Sequence, residues 1–149
     1  MTEKQKHLTV EEFRRVTSTP PRSHKFNAKP QNVTSGALAG YRFDSKGERE
    51  RAETLKLMER AGEISDLEFQ CKVHLVADIN WKLDFRYRDN RLGEVVYEDF
   101  KGMETPVYRL KYKLWKEFGE GRLIITKKNS GGHIVTTDIV TPATMKGKR

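Results

Sequence analysis

Apolar residues recur along this chain with two different periods, and each change of period marks out an element. After Ser45, the positions Glu48, Ala52, Leu55 and Met58 follow 3–4 spacing. That spacing predicts an amphipathic helix over 46–61, capped by Ser45 and ended by Gly62. Alternation takes over in DLEFQCKVHLV, where Leu67, Phe69, Cys71, Val73 and Leu75 share one face of an expected strand. NWKLDFRYR repeats the pattern, with Trp81, Leu83, Phe85 and Tyr87 facing one way and Lys82, Asp84, Arg86 and Arg88 the other. DNRLGE carries the Asn and Gly of a hairpin connection. EVVYEDFK then gives a third strand, with Val95, Tyr97, Asp99 and Lys101 on one face and Val96, Glu98 and Phe100 on the other.

After Gly102 the period is helical again. Thr105 suits an N-cap and Pro106 the first helical position, and PVYRLKYKLWKEF is expected to bury Val107, Leu110, Leu114 and Phe118 before Gly119 stops it. Its other face carries Arg109, Lys113 and Lys116 as one basic stripe. RLIIT reads as a short strand buried on both faces, and 133–140 as a possible further strand. The order α-β-β-β-α-β predicts an α/β fold, a mixed central sheet flanked by helices.

Residues 1–40 read as a basic, largely irregular arm, broken by Pro20, Pro21 and Pro30, with one short helix that Thr9 and Glu12 would cap. The core is then 41–126, and 127–149 form a basic C-terminal extension. The net charge of +8 sharpens this division. Residues 1–44 carry eight Lys and Arg against four acids, residues 127–149 five against one, and the middle sixteen of each. Basic ends on a balanced body suit a polyanion, because each phosphate contact releases counterions; solubilising tails are the plain alternative.

No apolar run approaches the roughly 18 residues needed to span a bilayer. MTEKQKHLTVEEF has no apolar h-region, so no secretory leader is expected. The single Cys71 excludes an internal disulfide and fits a cytoplasmic protein. His74 and His133 lack the partners of a zinc site, and SGALAG lacks the Lys-Ser/Thr of a P-loop, so no nucleotide cofactor is expected.

The chemistry is concentrated in VVYEDFKG. Asp99 and Lys101 emerge from the same strand face, and Asp84 can sit beside Asp99 at roughly 5 Å across a hairpin. Glu48 points toward the sheet from the first helix. Carboxylates at close range favour hard divalent cations, Mg²⁺ or Mn²⁺, which hold a phosphate oxygen and activate water. A neighbouring lysine stabilises charge developing in the transition state. Each residue also has an ordinary role: Ser45-x-x-Glu48 is a capping box in which Glu48 would bind the Ser45 N–H, and Asp99 with Lys101 could be a surface pair.

Glu48, the LDF strand and YEDFKG together resemble the PD-(D/E)xK nuclease superfamily. The stretch from KFNAKPQN to DLEFQ, with DFRYRDN, VVYEDFKG and TPVYRLKYKLW, is similar to a small phage and prophage family of that type. The arrangement is also similar to phage junction-resolving endonucleases. The resemblance implies a restriction-endonuclease-like core with Asp84 and Asp99 as metal ligands, Glu48 as a further ligand, directly or through water, and Lys101 as the catalytic lysine. It also implies an approach of Lys111 to the scissile phosphate and an accessory place for Gln70. Leu83 stands where a proline often precedes the first aspartate. Strand parity selects Asp99 over Glu98, and a one-residue bulge would reverse that choice.

The resulting expectation is a Mg²⁺-dependent DNA endonuclease of a phage or prophage, acting on branched or recombining DNA such as a Holliday junction. Arg109, Lys113, Lys116, Lys127 and Lys128 would hold the DNA backbone, and cutting two symmetric strands would favour a homodimer. Two other readings stay open. One is a non-catalytic DNA-binding or recombination accessory protein. The other is a single-strand or RNA binder stacking bases on Trp81, Tyr87 and Tyr97.

Overall fold

The computed structural model describes residues 29–147. The expected helix at Thr9–Phe13 and the last two basic residues lie outside that range. Within it, a hairpin of two short strands, β1 (Gln31–Asn32) and β2 (Arg42–Phe43), leads into helix α1 (Lys46–Arg60). Five strands follow, β3 (Ile64–Val76), β4 (Ile79–Asp89), β5 (Glu94–Phe100), β6 (Arg122–Lys128) and β7 (Ile134–Val140), with helix α2 (Pro106–Phe118) between β5 and β6. They form one mixed sheet in the order β3-β4-β5-β6-β7. Only β5 and β6 run parallel, which requires the crossover that α2 provides. The expected α-β-β-β-α-β order is therefore present, extended by a hairpin before it and a strand after it.

The connections follow from local chemistry. Ala77 and Asp78 both take positive φ (48° and 62°), the mirror-image turn that matches strand twist, so β3 and β4 join through two residues. Asp89 accepts the amides of Arg91 and Leu92 through Oδ1, and Gly93 (φ 69°) completes the return to β5. Ser45 and Thr105 cap α1 and α2 as expected, accepting from Glu48 N and Tyr108 N at 3.1 Å each.

Each sheet face has its own core, and strand parity shows it. Val96 packs with Phe43, Ala52, Leu55, Ile64, Phe85 and Tyr87 under α1. The next residue, Tyr97, packs with Trp81, Leu83, Tyr108, Trp115, Leu123 and Ile125 under α2. One helix thus covers each face.

Four expectations change. Residues 29–40 are largely irregular apart from β1 but do not form a free arm: Val33 and Leu38 are buried against α1, so the folded body begins before Tyr41. The boundary at 126 likewise cuts through β6. The buried face of α2 is Tyr108 and Trp115, whereas Phe118 is 48% exposed and Val107, Leu110 and Leu114 are half-buried. Finally, β3 and β4 do not keep one apolar face along their length. Trp81, Leu83, Val73 and Leu75 belong to the α2 side, and Phe85, Tyr87, Leu67 and Phe69 to the α1 side. The change falls where Gln70, across the ladder from Asp84, takes a left-handed φ of 54°.

Candidate active site

The three acids come from three elements and meet where β4 and β5 part. The last β4–β5 pair is Phe85 with Glu98. Beyond it, the two strands are bridged by a side chain: Phe100 N donates to Asp84 Oδ2 at 2.7 Å. Glu48 reaches the same place from the first turn of α1, where Asp44 N donates to its Oε2 at 3.1 Å. The sequence expectation gave that role to the Ser45 amide, so the capping bond is displaced by one residue. No register shift interrupts β5, so Asp99 keeps the parity that places it with Lys101.

Burial makes these carboxylates reluctant to ionise. Glu48 is 4% exposed, and burial pushes its pKa up to about 7; the Asp44 amide opposes the rise, the Asp44 and Asp99 charges add to it, and Lys82 relieves it. Burial, with the Asp99 and Glu48 charges, holds Asp84 well above the usual carboxylate range. Burial also raises Asp99, against the pull of the Lys101 charge. Asp99 Oδ2 is buried and lacks a hydrogen-bond partner. Lys101 Nζ stands 3.1 Å from it, close enough for an ion pair but outside hydrogen-bonding geometry. Such an atom is costly unless something satisfies it.

Lys101 is itself fixed. Its amide donates to Thr126 O at 2.7 Å on β6, and its ammonium lies 4.7 Å from the centre of the Tyr108 ring. Lys111 is half-buried on α2, where burial first and then the Lys101 charge lower its pKa. The Asp99 charge partly offsets that lowering, but Lys111 lines neither groove.

The remaining residues singled out in the sequence divide sharply. Glu98 faces away from the acids, fully buried, and accepts from Arg51 Nε (2.6 Å) and Nη2 (3.0 Å), Tyr87 Oη (3.1 Å) and Thr126 Oγ1 (3.0 Å). Gln70 is exposed and donates to Arg42 O in an adjoining depression, which shares Asp44 and Lys82 with the acid groove, and it does not line the acid groove itself. Arg109, Lys113, Lys116 and Lys127 line a groove of about 650 Å³ between α2 and the β6–β7 edge. Lys128, one residue on, belongs to the other side, where it pairs with Glu50 at 2.6 Å.

The acids open into a second groove of about 850 Å³, lined by Lys29, Lys46, Lys82 and Lys128 besides Glu48, Asp84 and Asp99. The two grooves share Lys101, Gly102 and Met103, so they meet at the acid site. Lys82 escaped the sequence reading, although Lys82-x-Asp84 has the same two-residue spacing as Asp99-x-Lys101. Asp44, which adds charge beside Glu48, gave no periodic signal.

Among the described residues, no three Asp, Glu, His or Cys side chains already enclose a metal ion. Mg²⁺ does not need such a cage: it is commonly held by one or two carboxylates together with substrate phosphate and water. Asp84 and Asp99, the latter with a buried Oδ2 that makes no hydrogen bond and pairs with Lys101, fit that mode.

A family model described as "Protein of unknown function (DUF1064)" matches residues 23–129, a span that holds every residue of the acid site and both grooves' lysines up to Lys128. No curated protein and no solved structure matches the chain. With most of its length matched by that model, the chain belongs to the DUF1064 family.

Proposed function

We propose that this chain is a metal-dependent endodeoxyribonuclease that hydrolyses internal phosphodiester bonds of DNA. The observation that carries the reading is the buried Asp99 Oδ2, held only by its ion pair to Lys101 and set beside Asp84 at the junction of two lysine-lined grooves. Three carboxylates whose charged forms are disfavoured are an arrangement that a divalent cation relieves.

Asp84 and Asp99 would hold Mg²⁺ or Mn²⁺, and Glu48 would complete the acidic side, directly or through water. When bound, the cation supplies Lewis-acid stabilisation of charge building on the phosphate. Lys101, anchored by the Thr126 carbonyl and the Tyr108 ring, presents a fixed ammonium to the same phosphate. Lys111, whose approach to the phosphate rests on the sequence resemblance, would be a second donor. Lysines on both sides of the acids give the polyanion a path that continues past the reacting phosphate in both directions, which suits an internal bond better than a chain end. Branched or junction DNA is the substrate class proposed from the sequence resemblance, together with action as a homodimer, a cytoplasmic location and a phage or prophage origin. No helix among the described residues is long and apolar enough to cross a membrane.

The test is cleavage of four-way junction, flap, linear duplex and single-stranded DNA in Mg²⁺, Mn²⁺ or EDTA, with Asp84→Ala and Lys101→Ala beside the wild type. Metal-dependent cutting that both variants lose by at least about a hundredfold is expected. Binding without cutting in either metal would replace this reading with a DNA-binding accessory role.

A further inference from the structure

Glu48 and Asp99 lie on different elements, and two contacts join those elements on either side of them. Arg51, one turn beyond Glu48 on α1, makes the two-pronged bond to Glu98, the residue before Asp99. Gly47, the residue before Glu48, lies against the ring of Phe100, the residue after Asp99; a Cβ built on Gly47 would come within 2.7 Å of Phe100 Cε1. The contacts also reach the rest of the site. Phe100 N holds Asp84, and Thr126, whose hydroxyl donates to Glu98, accepts the Lys101 amide through its carbonyl.

A buried ion pair adds little net stability compared with apolar residues of similar size. Its fork geometry, however, fixes direction as well as distance. Placing a fully buried Glu98 and a largely buried Arg51 on the elements that carry Asp99 and Glu48 is therefore poorly explained by stability alone and well explained by alignment.

We propose that Arg51 and Phe100 are positioning residues that clip α1 onto β5 on both sides of the Glu48–Asp99 pair, setting the separation at which these carboxylates serve one divalent cation. The inference rests on the metal-dependent reading above.

Arg51→Met and Phe100→Leu test the two clips separately. Circular dichroism first establishes folding, Mn²⁺ affinity is read from the electron paramagnetic resonance of the free ion, and cleavage is resolved into kcat and KM. Each folded variant is expected to bind Mn²⁺ about 10–100-fold more weakly, the usual range for losing a residue that orients a ligand, with kcat reduced and KM for DNA unchanged. Arg51→Lys, which keeps the charge without the fork, recovers melting temperature more than Mn²⁺ affinity. Arg49→Met, on the exposed side of α1 where Arg49 pairs with Glu53, keeps wild-type values. Folded variants with wild-type Mn²⁺ affinity and kcat overturn the clip while leaving the nuclease reading intact. Should Arg51→Met fail to fold, Phe100→Leu decides. A wild type that neither binds Mn²⁺ nor cuts DNA overturns the nuclease reading, and the clip falls with it.

Discussion

Glu48→Gln isolates one carboxyl whose protonation is coupled to folding. Its pKa rises from 4.5 to about 7 in the folded chain, chiefly through burial. The unfolded chain releases this proton near 4.5 while the folded chain retains it, so stability is full below that pH and falls as pH rises toward 7. At about 1.4 kcal/mol per pKa unit, the loss is on the order of 3 kcal/mol. Glutamine keeps an oxygen for the Asp44 amide and carries no charge, so it should not suffer this loss. At this chain length, 1 kcal/mol moves the melting temperature by roughly 2–4 °C, so the variant should melt roughly 6–12 °C above wild type at pH 8. At pH 4.5 the two should nearly coincide. Asp84 and Asp99 titrate in both proteins, so the difference between the two curves reports Glu48 together with the part of the Asp84 rise that the Glu48 charge causes. The assay is thermal and urea unfolding in EDTA across pH 4.5–8. Parallel curves for the two proteins, or a wild type that gains stability toward pH 8 relative to the variant, would refute the claim that burial keeps this carboxyl protonated.

Two further outcomes test the core and the groove. Trp115 is fully buried and donates to Gly121 O at 2.9 Å, so Trp115→Phe leaves that carbonyl unpaired beside a small void. A loss of about 2–4 kcal/mol is expected, read as a lower urea midpoint with an unchanged m-value; a loss below about 1 kcal/mol would show that the bond does not matter. For the groove along α2, replacing Lys113, Lys116 and Lys127 by Ala should flatten the dependence of log K on log salt for DNA binding. The expected change is roughly 0.9 per lost phosphate contact on duplex and 0.7 on single strands, and an unchanged slope would remove this groove from the DNA path.

What the sequence made legible was whatever depends on strict periodicity. The α1 stripe, the β4–β5 hairpin and the same-face placement of Asp99 and Lys101 all follow from spacing, and the structure keeps them. The β1–β2 hairpin was unreadable because two-residue strands carry no period, and Pro30 and the Ser, Asn and Gly around it look like loop. The α2 face was misassigned because an aromatic set, Tyr108, Tyr112 and Trp115, competes with an aliphatic set on the same helix. Ring size and the indole bond to Gly121 decide between them. At Gln70 a single left-handed residue redirects the apolar face of a strand pair, a tertiary effect that no alternation count contains. Cys71, placed by alternation on the apolar face of its strand, is half-buried and donates to Glu68, and burial lifts its thiol to about 12.

The lone parallel pairing has a consequence for how the site is assembled in time. Strands β3, β4 and β5 are joined by tight turns, so their contacts are near in sequence and cheap to close. The β5–β6 pairing must instead wait for the chain through α2 to return, and contacts of that separation slow folding. Asp84 and Asp99 belong to the quick meander. The anchor of the Lys101 amide and the Thr126 bond to Glu98 belong to the late closure. On that order a partly opened chain would hold the two aspartates side by side before the Lys101 amide is anchored, and the proposed site would be complete only with the last strand of the parallel pair.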